Sequence, residues 1–254
     1  MSMGETEMKN IAMRLMYDGT NYHGWQFQKN ALTVQQVIEE ALSKLTGEDI
    51  TVTGCSRTDA GVHALDYVMS FKTNTSIPPE KLPYALNYRL SRGITAVEAW
   101  EADADFNARF SSKGKMYVYN IWNSKFINPF YSAYSWHLPY NIDVERMKAA
   151  AKYFKGRHDF SAFMAAGGSQ KTTVRTVKNC SVTSDGEAES LIRVTVEADA
   201  YLYNMVRIIT GTLAEAGLGK IEPEDIPRII ESRDRRKSGL TAPPEGLFLK
   251  KVYY

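Results

Sequence analysis

The chain has 254 residues, 44% hydrophobic and 24% charged, with 31 Lys and Arg against 29 Asp and Glu for a formal net charge of +2. This is an ordinary globular composition with enough apolar content for a core, and it excludes collagen-like, disordered and disulfide-stapled classes. Cys55 and Cys180 are too few for a disulfide framework, no apolar run approaches the roughly 18 residues of a membrane span, and the polar residues 1–10 lack the apolar stretch of a signal peptide. A cytoplasmic setting without membrane association is therefore expected.

Residues 1–7 read as a frayed end. In residues 11–17, Ile11, Met13, Leu15 and Tyr17 alternate as on a half-buried strand. Val34, Val37, Ile38, Ala41, Leu42 and Leu45 recur at helical spacing, with Thr33 and Gln36 as a capping box and Gly47 just past the end. Strands are expected over 51–55 and 66–72, a short helix from Pro78 and Pro79 to about Arg89, and a strand over 94–100. The second half runs strand 115–122, helix 143–154, strands 177–183 and 191–198 around a turn at Asp185 and Gly186, and helix 203–216 ending at Gly217. An extra helix follows Pro223, then a basic loop at 233–237 and a final strand at 247–253.

Each half thus reads β-α-β-β-α-β, which predicts an α+β protein of two ferredoxin-like domains with antiparallel sheets. Their expected extents are 8–105 and 106–254, divided where an acidic stretch turns basic. Basic residues recur at 89–92, 109–115, 157–178 and 233–237, and acidic ones at 98–105 and 185–189. That distribution suits a mixed solvated surface and a nucleic-acid partner equally.

The most pointed stretch is Gly54-Cys55-Ser56-Arg57-Thr58-Asp59-Ala60-Gly61-Val62-His63-Ala64, between two expected strands. Its composition suits a tight turn, and Asp59 there reads either as an Asx-turn capping its own backbone or as a functional carboxylate. Tyr117 reads as core or as an aromatic platform. Arg207 reads as a snorkelling residue on an apolar helix or as a site residue, and Gly211 one turn on would admit a close backbone neighbour. The four histidines, His23, His63, His137 and His158, lack metal-ligand spacing, and no Walker or dinucleotide fingerprint is present.

Arg57 to Ala64 resembles the catalytic motif of the tRNA pseudouridine synthase A family. The similarity extends to Tyr17-Asp18-Gly19-Thr20-Asn21-Tyr22-His23-Gly24-Trp25-Gln26, to Phe106-Asn107-Ala108-Arg109-Phe110, to Tyr201-Leu202-Tyr203-Asn204-Met205-Val206-Arg207, and to Thr241-Ala242-Pro243-Pro244-Glu245-Gly246-Leu247, in family order. Ser56 departs from the glycine usual in the family. The resemblance implies an isomerase that converts uridine to pseudouridine at positions 38, 39 and 40 of the tRNA anticodon arm, as a homodimer, without cofactor or metal, in a cleft between the two domains. It implies that Asp59 is the nucleophile, Tyr117 the platform for the base and Arg207 the partner of the carboxylate. Arg57 then serves base flipping, and Phe106, Asn107, Ala108, Arg109 and Phe110 contact RNA.

The chemistry fits these residue types. Breaking the N1–C1′ bond builds positive charge on the sugar, which an ionised carboxylate captures or stabilises. Burial alone would neutralise that carboxylate, and a guanidinium opposes the shift. Arg109, Lys113 and Lys115 are expected at phosphates, and the loop Gly167-Gly168-Ser169-Gln170-Lys171 against tRNA. Two rival readings stand beside this one. One is a non-catalytic RNA-binding protein. The other is a two-carboxylate hydrolase using Asp66 or Asp18 with Asp59.

Overall fold

A computed structural model describes residues 8–168, 170–184 and 190–254, which fall into two units, one of residues 8–113 with Lys251–Tyr254 and one of Gly114–Lys250. The expected frayed end, Ser169 of the basic loop, and the Asp185 and Gly186 turn with its acidic cluster lie outside the described residues.

The first unit contains β1 (Lys9–Tyr17), α1 (Val34–Thr46), β2 (Thr53–Gly54), β3 (His63–Thr73), α2 (Leu82–Asn87) and β4 (Ile94–Glu101). β1 lies between β4 and β3, and β2 pairs with β3, all antiparallel. Ile11, Met13, Leu15 and Tyr17 are buried, as the alternation requires. α1 starts where Thr33 Oγ1 accepts the Gln36 N–H and stops at Gly47, whose φ of 74° supplies the left-handed cap. The reciprocal half of the capping box is absent, because the Gln36 amide bonds Glu40 instead.

The strand expected over 51–55 shrinks to β2. The N–H groups of Ile50 and Val52 go to Ser43 Oγ and Glu39 Oε1 of α1, so helix side chains replace the ladder there. Two steps along β1 from Leu15 to Tyr17 match three along β3 from Tyr67 to Ala64, a one-residue bulge at the mouth of the 54–64 turn. The segment 106–110, read from sequence as the start of the second half, packs within the first unit. The Asn10 amide donates to the Asp103 and Phe106 carbonyls, Ala108 N–H to Ser70 Oγ, and Tyr254 Oη to the Ala108 carbonyl.

The second unit contains β5 (Gly114–Asn123), β6 (Trp136–Leu138), α3 (Val144–Ala151), β7 (Gly156–Asp159), β8 (Val174–Ser184), β9 (Leu191–Ala198), α4 (Met205–Gly217), α5 (Ile226–Ser232) and the start of β10 (Leu247–Tyr253), which passes into the first unit at Lys251. β9 pairs antiparallel with β5 and β8, β7 antiparallel with β8, and β6 parallel with β5, while β10 neighbours β5. β6 and β7 were not anticipated. Gly156, Arg157, His158 and Asp159 carry no apolar alternation, and only their partner strand makes them a strand. Asp143 caps α3, and the expected helix finishes as a 3₁₀ turn at Lys152–Phe154. α4 is buried on nearly all sides, so it is a core element and not an amphipathic surface helix. The protein is therefore α+β with a mostly antiparallel sheet, and among the described residues no helix is long and apolar enough to cross a membrane.

Removing the Thr33 cap should cost about 1 kcal/mol. Thr33→Ala is expected to lower the urea midpoint with the slope unchanged, and an unaltered midpoint would reject the capping role.

Candidate active site

In the first unit the 54–64 turn is built by two segments distant in sequence. The turn proper closes through Val62 N–H donating to the Asp59 carbonyl (3.2 Å), with Gly61 at φ 77°. The loop leaving β1 lies directly on it. Trp25 N–H donates to the Thr58 carbonyl (3.1 Å), Gly61 N–H to the Tyr22 carbonyl (3.2 Å), and Tyr17 Oη and Thr58 Oγ1 share a bond of 2.8 Å. No side chain fits between the two. A Cβ on Gly19 would stand 2.0 Å from the Val62 carbonyl oxygen, and one on Gly24, at φ 83°, 2.4 Å from that of Thr58. Beneath the turn, Trp25 stacks on Tyr67 at 4.1 Å between centroids, and Tyr67 Oη donates to the Ser56 carbonyl.

Asp59 is half-buried and its backbone is fixed from both sides, whereas Arg57 is exposed. His63, 1% exposed, lies with Nδ1 3.0 Å from Gly19 N and 3.1 Å from Asp18 Oδ1. Nδ1 thus lies between the Gly19 N–H, from which it accepts, and the Asp18 carboxylate. Asp18 Oδ1 meanwhile accepts from Thr20 N–H and Oγ1. The two Tyr17–Gln26 and Arg57–Ala64 motifs are thus one structure.

Of the 106–110 segment, Ala108 is buried, Phe106 packs on Tyr254 at 5.1 Å, and Asn107 Oδ1 accepts the N–H groups of Arg109 and Phe110. That leaves Arg109 and Phe110 exposed. Arg57 and Arg109 line one depression together with Trp25, Gln26 and Ser56.

In the second unit Tyr117 sits on β5 opposite Val196, 6% exposed, edge-to-face with Tyr201 at 4.9 Å and 80°. Tyr201 is held by donating to the Lys115 and Val196 carbonyls. Tyr119, two residues on, donates to the Pro243 carbonyl, and burial raises its hydroxyl pKa so that it keeps its proton. Arg207 is half-buried on α4 and is not a snorkelling side chain. Its Nε donates to the Ala242 carbonyl (2.7 Å) and its Nη1 to Asn204 Oδ1 (2.8 Å), while Ala242 N–H donates back to the Arg207 carbonyl (3.1 Å). Gly211 admits the close neighbour expected of it, since a Cβ there would come 1.9 Å from the Leu240 carbonyl oxygen. The Tyr201–Arg207 and Thr241–Leu247 motifs therefore also form one structure.

The loop that fixes Arg207 has a clamp that sequence reasoning missed. Arg235, read as part of a solvated basic loop, is half-buried and donates to Ser238 Oγ, the Gly239 carbonyl and Thr241 Oγ1 at 2.8–3.0 Å. Gly239 N–H in turn donates to Thr212 Oγ1 of α4. Three donors converging on one loop are invisible in a run of like charges. Of the two acids that the hydrolase reading allows, Asp66 is ion-paired to Arg14 at 2.8 Å and accepts from Val252 N–H, and Asp18 accepts from Thr20 N–H and Oγ1.

Comparison with known proteins agrees with these motifs. The sequence profile described as tRNA pseudouridine synthase matches residues 13–111 and 150–254. A relative from Thermoanaerobacter sp. (strain X514), named tRNA pseudouridine synthase A, is 51% identical over 247 residues, 97% of this chain and 100% of that protein. A second of the same name, from Acetivibrio thermocellus, is 50% identical over the same shares.

The close approach of Gly24 to the turn can be measured against a glycine that is crowded by nothing. Gly47→Ala should cost the left-handed penalty alone, about 1–2 kcal/mol. Gly24→Ala should add about 1–3 kcal/mol of overpacking to a similar penalty. Equal shifts in thermal midpoint for the two variants would reject the contact.

Proposed function

The chain belongs to the tRNA pseudouridine synthase family, and on that premise we propose that it converts uridine to pseudouridine at positions 38, 39 and 40 of the tRNA anticodon stem-loop, with Asp59 as nucleophile and without cofactor or metal. The observation that carries this reading is the Arg57–Ala64 turn, whose backbone is locked by the Tyr17–Gln26 loop while Asp59 stays half-buried and its neighbour Arg57 exposed. A carboxylate held in this way needs little reorganisation before it acts.

In the proposed reaction the N1–C1′ bond breaks as Asp59 takes up the positive charge developing on the sugar. The uracil leaves with the N1–C1′ electron pair and turns while bound, C5 bonds to C1′ and releases Asp59, the C5 proton is lost and N1 takes up a proton, so the product is an isomer of the substrate. Tyr117 is the platform against which the base stacks, an interaction on the scale of about 1–3 kcal/mol. Arg207, its guanidinium oriented by Asn204 and Ala242, serves to keep the catalytic carboxylate ionised. Arg57 serves extrusion of the uridine, which no enzyme can reach inside a stack.

Two ferredoxin-like units, each holding part of the site, belong to the same reading. The strand orders β4-β1-β3-β2 in the first unit and β10-β5-β9-β8 in the second support it, with β6, β7 and α5 as additions. The same reading includes a homodimer and a cytoplasmic setting. Phe126, Ile127 and Phe130, 72%, 60% and 85% exposed, offer apolar area that a second subunit would cover, and Cys55 and Cys180 are not joined in a disulfide.

Incubation with tRNA tritiated at C5 of uridine tests the activity, since isomerisation releases the label and binding alone does not. Asp59→Asn is expected to abolish release while anticodon-arm affinity is kept, and wild-type turnover in that variant would reject the nucleophile. Arg207→Ala and Arg235→Ala should each lower kcat by about tenfold or more, the scale of a lost charge-assisted hydrogen bond. Because Arg235 acts through the loop that fixes Arg207, the double variant should lose little beyond either single. Fully additive losses would break that chain of contacts.

A further inference from the structure

We propose that Asn204 is a positioning residue whose left-handed backbone and uncharged side-chain oxygen together hold the Arg207 guanidinium in place with its charge intact. The proposal rests on the isomerase reading above and says what that reading asks of a residue outside its reacting groups.

The departure from rule is local. Among the described residues, only Asn204 and Arg233 outside glycine have positive φ, at 59° and 54°. Arg233 follows α5, where a left-handed residue is an ordinary helix ending. Asn204 stands at the opposite end of a helix, as the N-cap of α4. An N-cap has extended backbone, and its side chain accepts an N–H of the first turn. Thr33 and Asp143 do so in this same protein, accepting from Gln36 and from Glu145 and Arg146. The Asn204 carbonyl accepts the Ile208 N–H (3.0 Å), as that of an N-cap does, yet its side chain caps no backbone group. Oδ1 goes instead to Nη1 of Arg207, three residues on, at 2.8 Å. The chain thus gives up a favourable backbone and a helix cap at one position. Asparagine tolerates the left-handed region better than most residues, but glycine adopts it without strain. Strain that a glycine would remove points to a use for the side chain.

That use depends on the oxygen being neutral. The guanidinium donates from Nη1 to the Asn204 amide oxygen and from Nε to the Ala242 carbonyl, both uncharged. Bonds to two such oxygens fix its orientation without cancelling its charge. The Tyr119 hydroxyl on β5 feels both Arg207 and the Glu245 carboxylate. With Glu245 already in that field, an aspartate at 204 would add an anion in direct contact and weaken the pull of Arg207 on the catalytic carboxylate. Aspartate matches asparagine in size and in tolerance of the backbone, so charge alone separates the two.

Two variants of the full chain test this through release of label from C5-tritiated tRNA. Asn204→Gly keeps the backbone and removes the oxygen. Its thermal midpoint should stay close to that of wild type, since relief of strain offsets the freedom glycine adds to the unfolded chain. Its kcat should fall by about tenfold, the scale of a lost charge-assisted hydrogen bond, with KM for tRNA little changed. Asn204→Asp keeps both backbone and bond. Its kcat should match wild type at high pH, with the acid limb of the kcat profile moved up by about one pH unit. The sign follows because a carboxylate less favoured as an anion takes its proton at higher pH, so activity is lost sooner as pH falls. Wild-type kcat in Asn204→Gly, or an unmoved acid limb in Asn204→Asp, would overturn the proposal. Rotation of the Arg207 guanidinium about Nε–Cζ gives a measure independent of catalysis, read by NMR with labelled arginine and assigned through Arg207→Lys. It should be slow in wild type and in Asn204→Asp and fast in Asn204→Gly. Equal rates in wild type and Asn204→Gly sink the proposal even if wild type releases label. Slow rotation in a wild type that releases none sinks the isomerase reading and leaves the hold on Arg207 standing.

Discussion

The contact on which the site depends is backbone against backbone, with the loop after β1 lying on the Asp59 turn at Gly19 and Gly24, where not even a methyl group fits. Two chain segments that touch without side chains between them cannot slide or repack, and the hydrogen bonds between Tyr22, Trp25, Thr58 and Gly61 fix their register. Carbonyls and amides thus set the position of Asp59, with little rotamer entropy to lose on ordering. The second unit repeats the device, with Gly211 against Leu240, Gly239 against Thr212 and Gly246 against Tyr119. In each unit a loop is brought down onto a scaffold element at glycines, and the polar residue of interest sits beside the seam.

This architecture sorts the arginines by use more sharply than net charge does. Arg14 pairs with Asp66 and Glu98 on the sheet. Arg207 and Arg235 donate to backbone and side-chain oxygens of the loop between α5 and β10. Arg57 and Arg109 have no anion among the described residues and share a concavity. A surface nearly neutral overall therefore carries a local demand for negative charge.

Much of the fold is legible in the sequence. The periodicity of β1, α1, β5 and α4, the cap at Thr33 and the bounds of β9 and β10 follow from local pattern. What is not legible is tertiary. β6 and β7 are strands only because β5 and β8 pair with them, and the strand expected at 51–55 lost its ladder to Ser43 and Glu39. Asp59 was identified by motif resemblance, since an Asp in a turn is ordinary on local grounds. The joining of motifs into seams, the clamp at Arg235 and the meeting of Arg57 with Arg109 depend on contacts between residues far apart in sequence or on burial, which no short window contains.

The last residues of the chain complete its first unit. Val252 N–H reaches Asp66, the Tyr253 carbonyl takes Lys113 N–H, and Tyr254 places its ring on Phe106 and its hydroxyl on Ala108. Residues 8–113 are synthesised well before these partners, so the unit that bears Asp59 can collapse early but gains its last hydrogen bonds only when residues 251–254 arrive.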